Sequence, residues 1–564
     1  MWMRYKTKSL TGKSVATAGG AGRASTATLW RSRLLSRFIA VTLISATASA
    51  IAQPGGTAWC AAALSIPSTP TTTASIDDPS SPSGKSSREL VVSLSLSGGG
   101  YRAMLFHVGT LRRLNDAGML PRLAVISSVS GGSIASAYLA YRWLDLNFDT
   151  DDRAVNFIEV FERPLGELAS ATMDVPSVLT GLMPFTSAAA QQIAKLDERL
   201  FRGAQLAQIS PAVGTSADTR PRPLFILNAT SLQTGEHWQF RAAAMGGPIT
   251  GWTAPGTLLL SQAVAASSGF PPFLSPVVLK PSGEANPAHW HQCSDYRDNP
   301  FGVAYSNEPG RVIAEDALAA FRKSVHLTDG GVRDNLGIAP IDEMNRLRRL
   351  NNLSRATVTL LSDGGATMSL DADPSANWAG QAMRILGLLA DQPDEVRVAD
   401  LIRTGSARLR GFGWNAEPSQ PGCADLRSPP ALDAARRRAT LEADTYDAYV
   451  YWSIRRLPKM HTGFGCPDPS RQWMANEVAA LSKVPTALRA MPESLQARLV
   501  NWGYIAAHHG LPYMDFAWPD AVLRQRWLGS CRIPYAPKTA DPDGNTPSAR
   551  DALCAPLVQA GAAP

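Results

Sequence analysis

The strongest constraint on the fold is the alternation of strand and helix between residues 90 and 144. Residues 90–96 read LVVSLSL, and the alternation of leucine or valine with serine predicts a strand. Residues 103–117 have apolar side chains at helical spacing, residues 123–127 (LAVIS) predict a short buried strand, and residues 131–144 predict a second helix. This strand–helix–strand–helix order predicts an α/β fold with parallel strands.

Further strands are predicted at residues 223–228, 325–328 and 357–362, after which the pattern becomes mainly helical. The predicted organisation is a targeting segment (1–52), a linker rich in Pro, Ser and Thr (53–87), a catalytic domain (88–370), a helical C-terminal extension packed on that domain (371–515) and an irregular tail (516–564). The linker is assigned because its composition buries too little apolar surface to offset the entropy of ordering it.

The net charge of +7 belongs to the first residues of the chain rather than to the predicted domain. Residues 1–52 contain eight of the 54 Lys and Arg residues and no acidic residue, which leaves 46 basic against 47 acidic residues, a charge of −1. A domain with this balance offers no basic surface for a polyanion, so nucleic acid is not expected as a partner.

The N-terminal segment resembles an export signal. Three arginines, Arg31, Arg33 and Arg37, precede an apolar stretch with small residues at alternate positions from Ala48 to Ala52. Residues 31–52 therefore predict a periplasmic or secreted protein, and a membrane-associated or organellar protein is the alternative.

Six cysteines follow this segment, and none forms a C-x-x-C pair that would suggest a zinc ribbon or a thioredoxin-like site. An even number in an exported chain permits disulfides. One or two disulfides are expected to involve the last four cysteines, with free buried thiols as the alternative. The four are Cys423, Cys466, Cys531 and Cys554.

A serine lies at the second strand-to-helix junction, in Ser128-Val-Ser130-Gly-Gly132. A nucleophile elbow needs such a sharp turn, with small neighbours that let the backbone close and a helix N-terminus beside the hydroxyl. The usual motif is G-x-S-x-G, and here Ser128 replaces the first glycine. Ser130 is the candidate nucleophile, and a serine-rich helix cap is the structural alternative.

The first junction reads Ser97-Gly-Gly-Gly-Tyr-Arg102 and leaves a run of backbone N–H groups uncovered by side chains. Such groups can hold a developing oxyanion, and parallel strands bring both junctions to one edge of the sheet. The same glycines fit a dinucleotide-binding turn, but the second strand ends in Ser127-Ser128 rather than in the required acid. No Gly-Lys-Ser/Thr follows, which excludes a P-loop.

Two Asp-Gly-Gly segments follow later strands, at Asp329 and at Asp363. An aspartate on such a turn can accept the proton of a serine, but Asp-Gly is also ordinary turn chemistry. A Ser-Asp-His triad is the alternative arrangement, since His461, His508 and His509 follow Asp329 in the chain, although none lies in a recognisable loop motif.

Together these motifs resemble the patatin-like phospholipase family, over about residues 90–510. The resemblance rests on the 97–102 glycine segment, the Ser130 elbow and Asp329-Gly-Gly331, which occur in the family's order. Residues 228–236, 265–272 and 332–337 are also similar to bacterial members.

The resemblance implies a patatin-like three-layer sandwich with a mostly parallel central sheet. It implies a Ser130–Asp329 dyad without catalytic histidine, favours Asp329 over Asp363, and assigns the oxyanion hole to Gly98, Gly99, Gly100 and Arg102. Arg102 either contacts a lipid phosphate or braces the loop. No metal or cofactor is expected.

The implied substrates are acyl esters of lipids or phospholipids, with contact to a membrane surface compatible with that role. Two alternatives remain open from the sequence. One is a general carboxylesterase or thioesterase for small acyl chains, and the other is a non-catalytic fold that binds lipid or a partner protein.

Overall fold

The structure is a computed structural model of the 564-residue chain. It describes residues 86–173, 188–211, 220–271, 276–281, 315–350, 356–366, 447–457 and 471–511, together with the short pieces 59–60, 64, 72–76, 274, 290–291, 293, 381 and 396–398. The predicted targeting segment (1–52) and the predicted irregular tail (516–564) lie outside these ranges. So do residues 382–390, a helix predicted within the C-terminal extension.

One mixed sheet forms the middle of the fold. Its strands are β1 (Thr72–Ile76), β2 (Ser86–Leu96), β3 (Leu123–Val129), β4 (Leu224–Ser231), β5 (His237–Phe240), β6 (Met245–Gly247), β7 (Gly251–Thr253), β8 (Val277–Leu279), β9 (Val325–Asp329), β10 (Ala356–Asp363) and β11 (Asp447–Ser453). The order β11-β10-β2-β3-β4-β5-β6-β7 runs across the sheet, with β1 on β2, and with β9 between β4 and β8.

The five strands from β11 to β4 are parallel, and the pairs beyond β4 are antiparallel. This confirms the predicted α/β fold with a mostly parallel central sheet. The strands of the parallel part are buried on both faces, as a parallel sheet covered by helices requires.

The helices are α1 (Gly100–Asp116), α2 (Gly131–Arg142), α3 (Arg163–Ala169), α4 (Ala188–Leu196), α5 (Leu260–Ser267), α6 (Glu315–Lys323), α7 (Gly331–Asp334), α8 (Ala339–Leu350), α9 (Arg471–Leu481) and α10 (Glu493–Gly510). Single turns of 3-10 or π-helix occur at Leu120–Arg122, Trp143–Asp145, Ile158–Glu162, Asp197–Phe201 and Leu206–Ile209. No helix in these ranges combines the length and the apolar character that crossing a membrane requires.

Two apolar clusters lie on opposite faces of the parallel strands. On one face, Leu94 of β2 and Ile126 of β3 belong to a large core that includes helices α1, α2 and α10. On the other face, Val125 of β3 packs with Ile341 and Met344 of α8. Helices on both faces of the sheet give the predicted three layers.

Helices α1 and α10 cross at two glycines. A Cβ on Gly109 would lie 1.9 Å from the carbonyl oxygen of Val500, and a Cβ on Gly503 would lie 1.8 Å from that of Phe106. Only glycine permits this backbone approach. At this crossing, α10 packs against α1, the helix that begins at the glycine turn.

Strand β11 was not predicted, because the region after residue 370 was expected to be mainly helical. Its sequence, DAYVYWS, places Val450 and Trp452 in the large core. Tyr449 and Tyr451 pack against a third apolar cluster, formed by Leu336, Ile338, Leu361 and Val398. Its aromatic and β-branched side chains favour a strand. Pairing with β10 supplies the hydrogen bonds that a short isolated strand lacks.

The segment predicted as a linker contains β1, which pairs with the start of β2. It also contains Cys60, which forms a disulfide with Cys293. This pairing was not foreseen, since connectivity cannot be deduced from spacing alone. The four cysteines expected to form disulfides lie outside the described residues.

The Cys60–Cys293 disulfide links the segment predicted as a linker to the residues next to β7, at the edge of the sheet. Trp59 stacks on His291, whose backbone pairs with Trp252 of β7, and Arg241 donates to the carbonyl oxygen of Leu64. The bond joins positions 233 residues apart.

Replacing both cysteines of this pair with alanine is expected to lower the free energy of unfolding by about 2–5 kcal/mol, because a long loop of the unfolded chain is released. Denaturant unfolding of the oxidised protein measures the loss. Each single variant should lose as much as the double variant. A wild type whose stability does not respond to reduction would contradict the pairing.

Candidate active site

Ser130 occupies the sharp turn between β3 and α2. Its backbone has φ 52° and ψ −118°, a conformation that non-glycine residues rarely adopt and that is typical of strained functional positions. The next two residues must be small, because a Cβ on Gly131 would lie 2.1 Å from the carbonyl oxygen of Gly100 and one on Gly132 would lie 2.5 Å from that of Leu96. The elbow therefore packs directly against the glycine turn.

A cluster of buried serines forms hydrogen bonds next to the turn at Ser130. The backbone N–H of Ser130 donates to the hydroxyl of Ser267 at 3.1 Å, and that hydroxyl donates to the carbonyl oxygen of Asn228 at 2.6 Å. Ser133 lies 2.8 Å from the same hydroxyl. Ser267 was not singled out from the sequence, although it lies in the 265–272 segment that resembles bacterial family members.

Ser128, which replaces the first glycine of the elbow motif, is accommodated without strain. It is a regular residue of β3, paired with Leu227 of β4. Its hydroxyl lies 2.6 Å from that of Ser136 and 3.0 Å from that of Ser133 in α2. Its side chain thus becomes part of the polar contact between β3 and α2.

Asp329 ends β9 opposite Ala229, and the neighbouring Asn228 pairs with Val129 at the end of β3. This register brings the carboxyl of Asp329 next to Ser130, with which it forms a side-chain hydrogen bond. The N–H of Gly331 donates to Oδ1 of Asp329 at 2.7 Å. The structure therefore brings the predicted nucleophile and the predicted base together.

Burial raises the pKa of Asp329 to about 6 from its usual value near 3.8, and the hydrogen bonds from Gly331 and Ser130 oppose this shift. Its side chain has 2% exposure. A carboxylate with a raised pKa is a stronger base than a solvated one, which suits proton abstraction from a hydroxyl.

The glycine turn offers two candidate oxyanion donors rather than three. The N–H of Gly98 already donates to the carbonyl oxygen of Asn335 at 3.0 Å, so it is not available to a substrate in this conformation. Within the described part of the chain, the N–H groups of Gly99 and Gly100 have no recorded acceptor. Both residues have positive φ, 140° and 61°, which explains the need for glycine.

Arg102 donates hydrogen bonds that brace the glycine turn. It is fully buried, its Nε donates to the carbonyl oxygen of Gly364 at 2.9 Å, and its Nη1 donates to that of Val484. These contacts favour the bracing alternative, and the assignment of Arg102 to the oxyanion hole stays a prediction. The guanidinium joins α1 to segments that follow β10 and α9.

Asn335 is a further site residue that the sequence analysis did not single out. A Cβ on Gly98 would lie 2.2 Å from its Oδ1, and a Cβ on Gly331 would lie 2.8 Å from the same atom. Its side chain thus fills the space between the glycine turn and the Asp329 loop. The 332–337 segment, which resembles the family, was the available signal.

Asp363 begins the second Asp-Gly-Gly segment, and its surroundings are those of a structural ion pair. Its Oδ2 accepts hydrogen bonds from Tyr451 at 2.7 Å, from Ser453 at 3.0 Å and from Arg455 at 2.8 Å, and Gly365 donates to Oδ1. Although burial raises the pKa of this carboxyl, Arg455 and the hydrogen bonds outweigh it and lower the pKa to about 2.

The histidines of the described residues do not complete a triad. His107 is buried, and burial lowers its pKa to about 4, so that a neutral ring lies between the hydroxyl of Ser362 and the carbonyl oxygen of Ser97. Nδ1 of His508 accepts a hydrogen bond from Arg113 within the α1–α10 contact. His461 lies outside the described residues.

Residues 94–342 match the family model described as patatin-like phospholipase, and this range contains Ser130, Asp329 and the glycine turn. This part of the chain is therefore similar to patatin-like phospholipase domains. Among curated proteins there is no match to the sequence.

Solved structures with similarity to the chain include human GIVD cytosolic phospholipase A2, at 13% identity and a TM-score of 0.38, over 78% of this chain and 62% of the human chain. A complex of that enzyme with methyl gamma-linolenyl fluorophosphonate matches at 15% identity and a TM-score of 0.36, over 78% and 60%. VipD from Legionella pneumophila matches at 12% identity and a TM-score of 0.24, over 79% and 80%. The chain thus spans less than two thirds of the human enzyme.

The two aspartates are expected to respond oppositely to asparagine substitution, measured as the free energy of unfolding at pH 8. Asp363→Asn should cost about 3 kcal/mol, because it leaves the guanidinium of Arg455 without its buried carboxylate. Asp329→Asn should raise stability, by up to about 3 kcal/mol, because an ionised buried carboxyl with a raised pKa is removed.

The pH dependence provides the control for this comparison. A raised folded-state pKa makes stability full below pH about 4 and reduces it as pH rises through about 6, so the gain in Asp329→Asn should vanish at pH 4. The contribution of Asp363 is full above pH about 4 and falls as pH approaches 2. Equal losses in both variants at pH 8 would contradict this assignment.

Proposed function

We propose that this protein hydrolyses acyl esters of lipids or phospholipids through a Ser130–Asp329 dyad and a covalent acyl-enzyme, in the manner of a phospholipase A or lysophospholipase. The observation that carries the proposal is the hydrogen bond between the Ser130 hydroxyl and the buried Asp329 carboxyl. The hydrogen bond lies beside the glycine turn, in which Gly99 and Gly100 have positive φ.

In the first step, the Asp329 carboxylate takes the proton of the Ser130 hydroxyl while Oγ attacks the ester carbonyl carbon. The N–H groups of Gly99 and Gly100 stabilise the resulting oxyanion, a contribution of about 3 kcal/mol per donor. Collapse of the tetrahedral intermediate breaks the bond to the alcohol. The alcohol leaves with the proton held by Asp329, and the acyl group stays on Ser130.

In the second step, Asp329 accepts a proton from water, which attacks the acyl carbonyl carbon. The second tetrahedral intermediate releases the fatty acid, and the proton returns to Ser130. The strained turn holds Oγ at the end of β3 throughout, and the N–H of Ser130 donates to the Ser267 hydroxyl, which limits rotation of the elbow.

Ser130→Ala and Asp329→Asn are each expected to reduce hydrolysis of a soluble nitrophenyl ester by at least about 10³-fold, because the nucleophile or its base is lost. A fluorophosphonate probe should label Ser130 in the wild type, as mapped by mass spectrometry of the labelled peptide. Circular dichroism and unfolding of each variant control for folding.

Ser133→Ala is the matched control, since Ser133 is a buried serine of the same cluster that lacks contact with Asp329. It should keep labelling at Ser130. Labelling at another serine, or full activity in Ser130→Ala, would refute the dyad.

The activity should rise with pH, because only the carboxylate form of Asp329 is a base. For the free enzyme, kcat/KM is expected to increase through pH about 6 and then level off. A titration of initial rates between pH 4 and pH 8 measures the transition. A profile that is flat across this range would contradict Asp329 as the base.

The substrate class is distinguished by comparing short-chain nitrophenyl esters with phospholipid vesicles. A lipid acyl hydrolase is expected to prefer the vesicles, whereas a general carboxylesterase or thioesterase would act only on the small esters. Lack of both activities and of labelling would favour the non-catalytic, lipid-binding or partner-binding alternative.

We also propose that the protein is exported to a periplasmic or extracellular compartment. The signal-like residues 31–52 support this, and so does the Cys60–Cys293 disulfide, since disulfides persist in oxidising compartments.

A further inference from the structure

A buried histidine that the proposed mechanism does not use lies next to the glycine turn. His107 belongs to α1, and its Nε2 lies 2.9 Å from the carbonyl oxygen of Ser97, the residue before the three glycines. A carbonyl oxygen only accepts hydrogen bonds, so Nε2 carries a proton and donates it. Burial lowers the pKa of His107 to about 4, so the ring is neutral at pH 7 and its Nδ1 has no proton.

Buried hydroxyl groups hold the ring in this tautomer. The hydroxyl of Ser362 lies 2.9 Å from Nδ1 and donates its only proton to the ring. Oγ of Ser362 therefore accepts from the hydroxyl of Thr110, at 3.1 Å, while the carbonyl oxygen of Gly503 lies farther from Thr110, at 3.4 Å. Nε1 of Trp452 donates to Oγ1 of Thr110 at 3.2 Å. Four successive hydrogen bonds thus lead from Trp452 to the carbonyl oxygen of Ser97.

The carbonyl group that accepts from His107 belongs to the peptide unit between Ser97 and Gly98. The N–H of the same unit donates to the carbonyl oxygen of Asn335 at 3.0 Å. Hydrogen bonds on both sides therefore fix the plane of this peptide unit. The glycines themselves have no Cβ to restrict the backbone, so the direction of the N–H groups that follow depends on such contacts.

We propose that His107 is a positioning residue of the oxyanion hole, a role that rests on the proposed hydrolase function. Its Nε2–H fixes the peptide unit that precedes the two candidate donors, the N–H groups of Gly99 and Gly100. Donors that already point at the developing charge need no reorganisation in the transition state, which is the main source of their effect. The ring is fully buried, so it acts through the glycine turn and not on the substrate.

Two substitutions separate the hydrogen bond to Ser97 from the one to Ser362. The side-chain amide of His107→Gln reaches about as far as Nε2 and can donate to Ser97, whereas the shorter amide of His107→Asn reaches about as far as Nδ1 and Ser362. With a soluble nitrophenyl ester, His107→Gln should keep kcat within about threefold of the wild type, and His107→Asn should lower it at least about tenfold with KM within about twofold. The loss falls on kcat because the oxyanion forms only in the transition state.

A purely structural role of His107 would affect both variants equally, because each one removes one of the two hydrogen bonds of the ring. Both should lose a similar free energy of unfolding in denaturant and yet differ in kcat. His508→Asn is the matched control, since His508 is a second buried histidine, in α10, that accepts a hydrogen bond from Arg113. It should keep the kcat of the wild type.

Nitrogen NMR of the wild type with isotope-labelled histidine measures the tautomer directly. At pH 7, the signal that is missing from His107→Gln should show a proton on Nε2 and none on Nδ1. A proton on Nδ1, or equal kcat in His107→Gln and His107→Asn, would overturn the positioning role. A wild type that neither hydrolyses the ester nor reacts with the fluorophosphonate probe would instead reject the hydrolase function, and the positioning role with it.

Discussion

The carboxyl group of Asp329 is buried where β9 meets β4, and its hydrogen bond to Ser130 depends on several independent features of the fold. The register of β3, β4 and β9 sets the distance between the two residues. The strained turn at Ser130 directs the hydroxyl, and the buried Ser267 hydroxyl accepts the N–H of that turn. Burial then gives the carboxyl a basicity that a surface aspartate does not have.

The same Asp-Gly-Gly triplet occurs twice in the chain, and the surroundings give it opposite properties. Both aspartates end a strand, and both accept the N–H of the second glycine. Asp363 also meets Arg455, Tyr451 and Ser453 from β11 and the turn after it, which stabilise its charge. The Asp329 carboxyl accepts a hydrogen bond from the Ser130 hydroxyl, whereas Asp363 pairs with a cation. The difference between the raised pKa of Asp329 and the lowered pKa of Asp363 thus comes from the neighbouring side chains and not from the motif.

The part of the fold that was predictable is the part with local signals. Alternating serine and leucine in β2, helical spacing in α1 and the short apolar run in β3 each identify an element within a few residues. The position of Ser130 followed because glycine turns at strand ends indicate the site edge of a parallel sheet. The choice of Asp329 over Asp363 came from the family resemblance, since both Asp-Gly-Gly segments follow a predicted strand.

The remainder depends on contacts between distant residues. The place of β11 in the sheet depends on its pairing with β10, and the partner of Cys60 is known only from the contact with Cys293. The N–H of Gly98 looked available in the sequence, but the carbonyl oxygen of Asn335 occupies it. Arg102 could equally bind substrate or brace the turn until its acceptors, Gly364 and Val484, were known.

The contacts of Arg102 and α10 also determine how late in synthesis the glycine turn can be braced. Arg102 donates to an acceptor 382 residues further along the chain, and Arg113 to one 395 residues away. A nascent chain that has only reached Asp329 lacks both partners, so its glycine turn is not yet braced. Contacts of such high sequence separation form late and slowly. The brace of the glycine turn is therefore complete only after nearly the whole polypeptide has been synthesised.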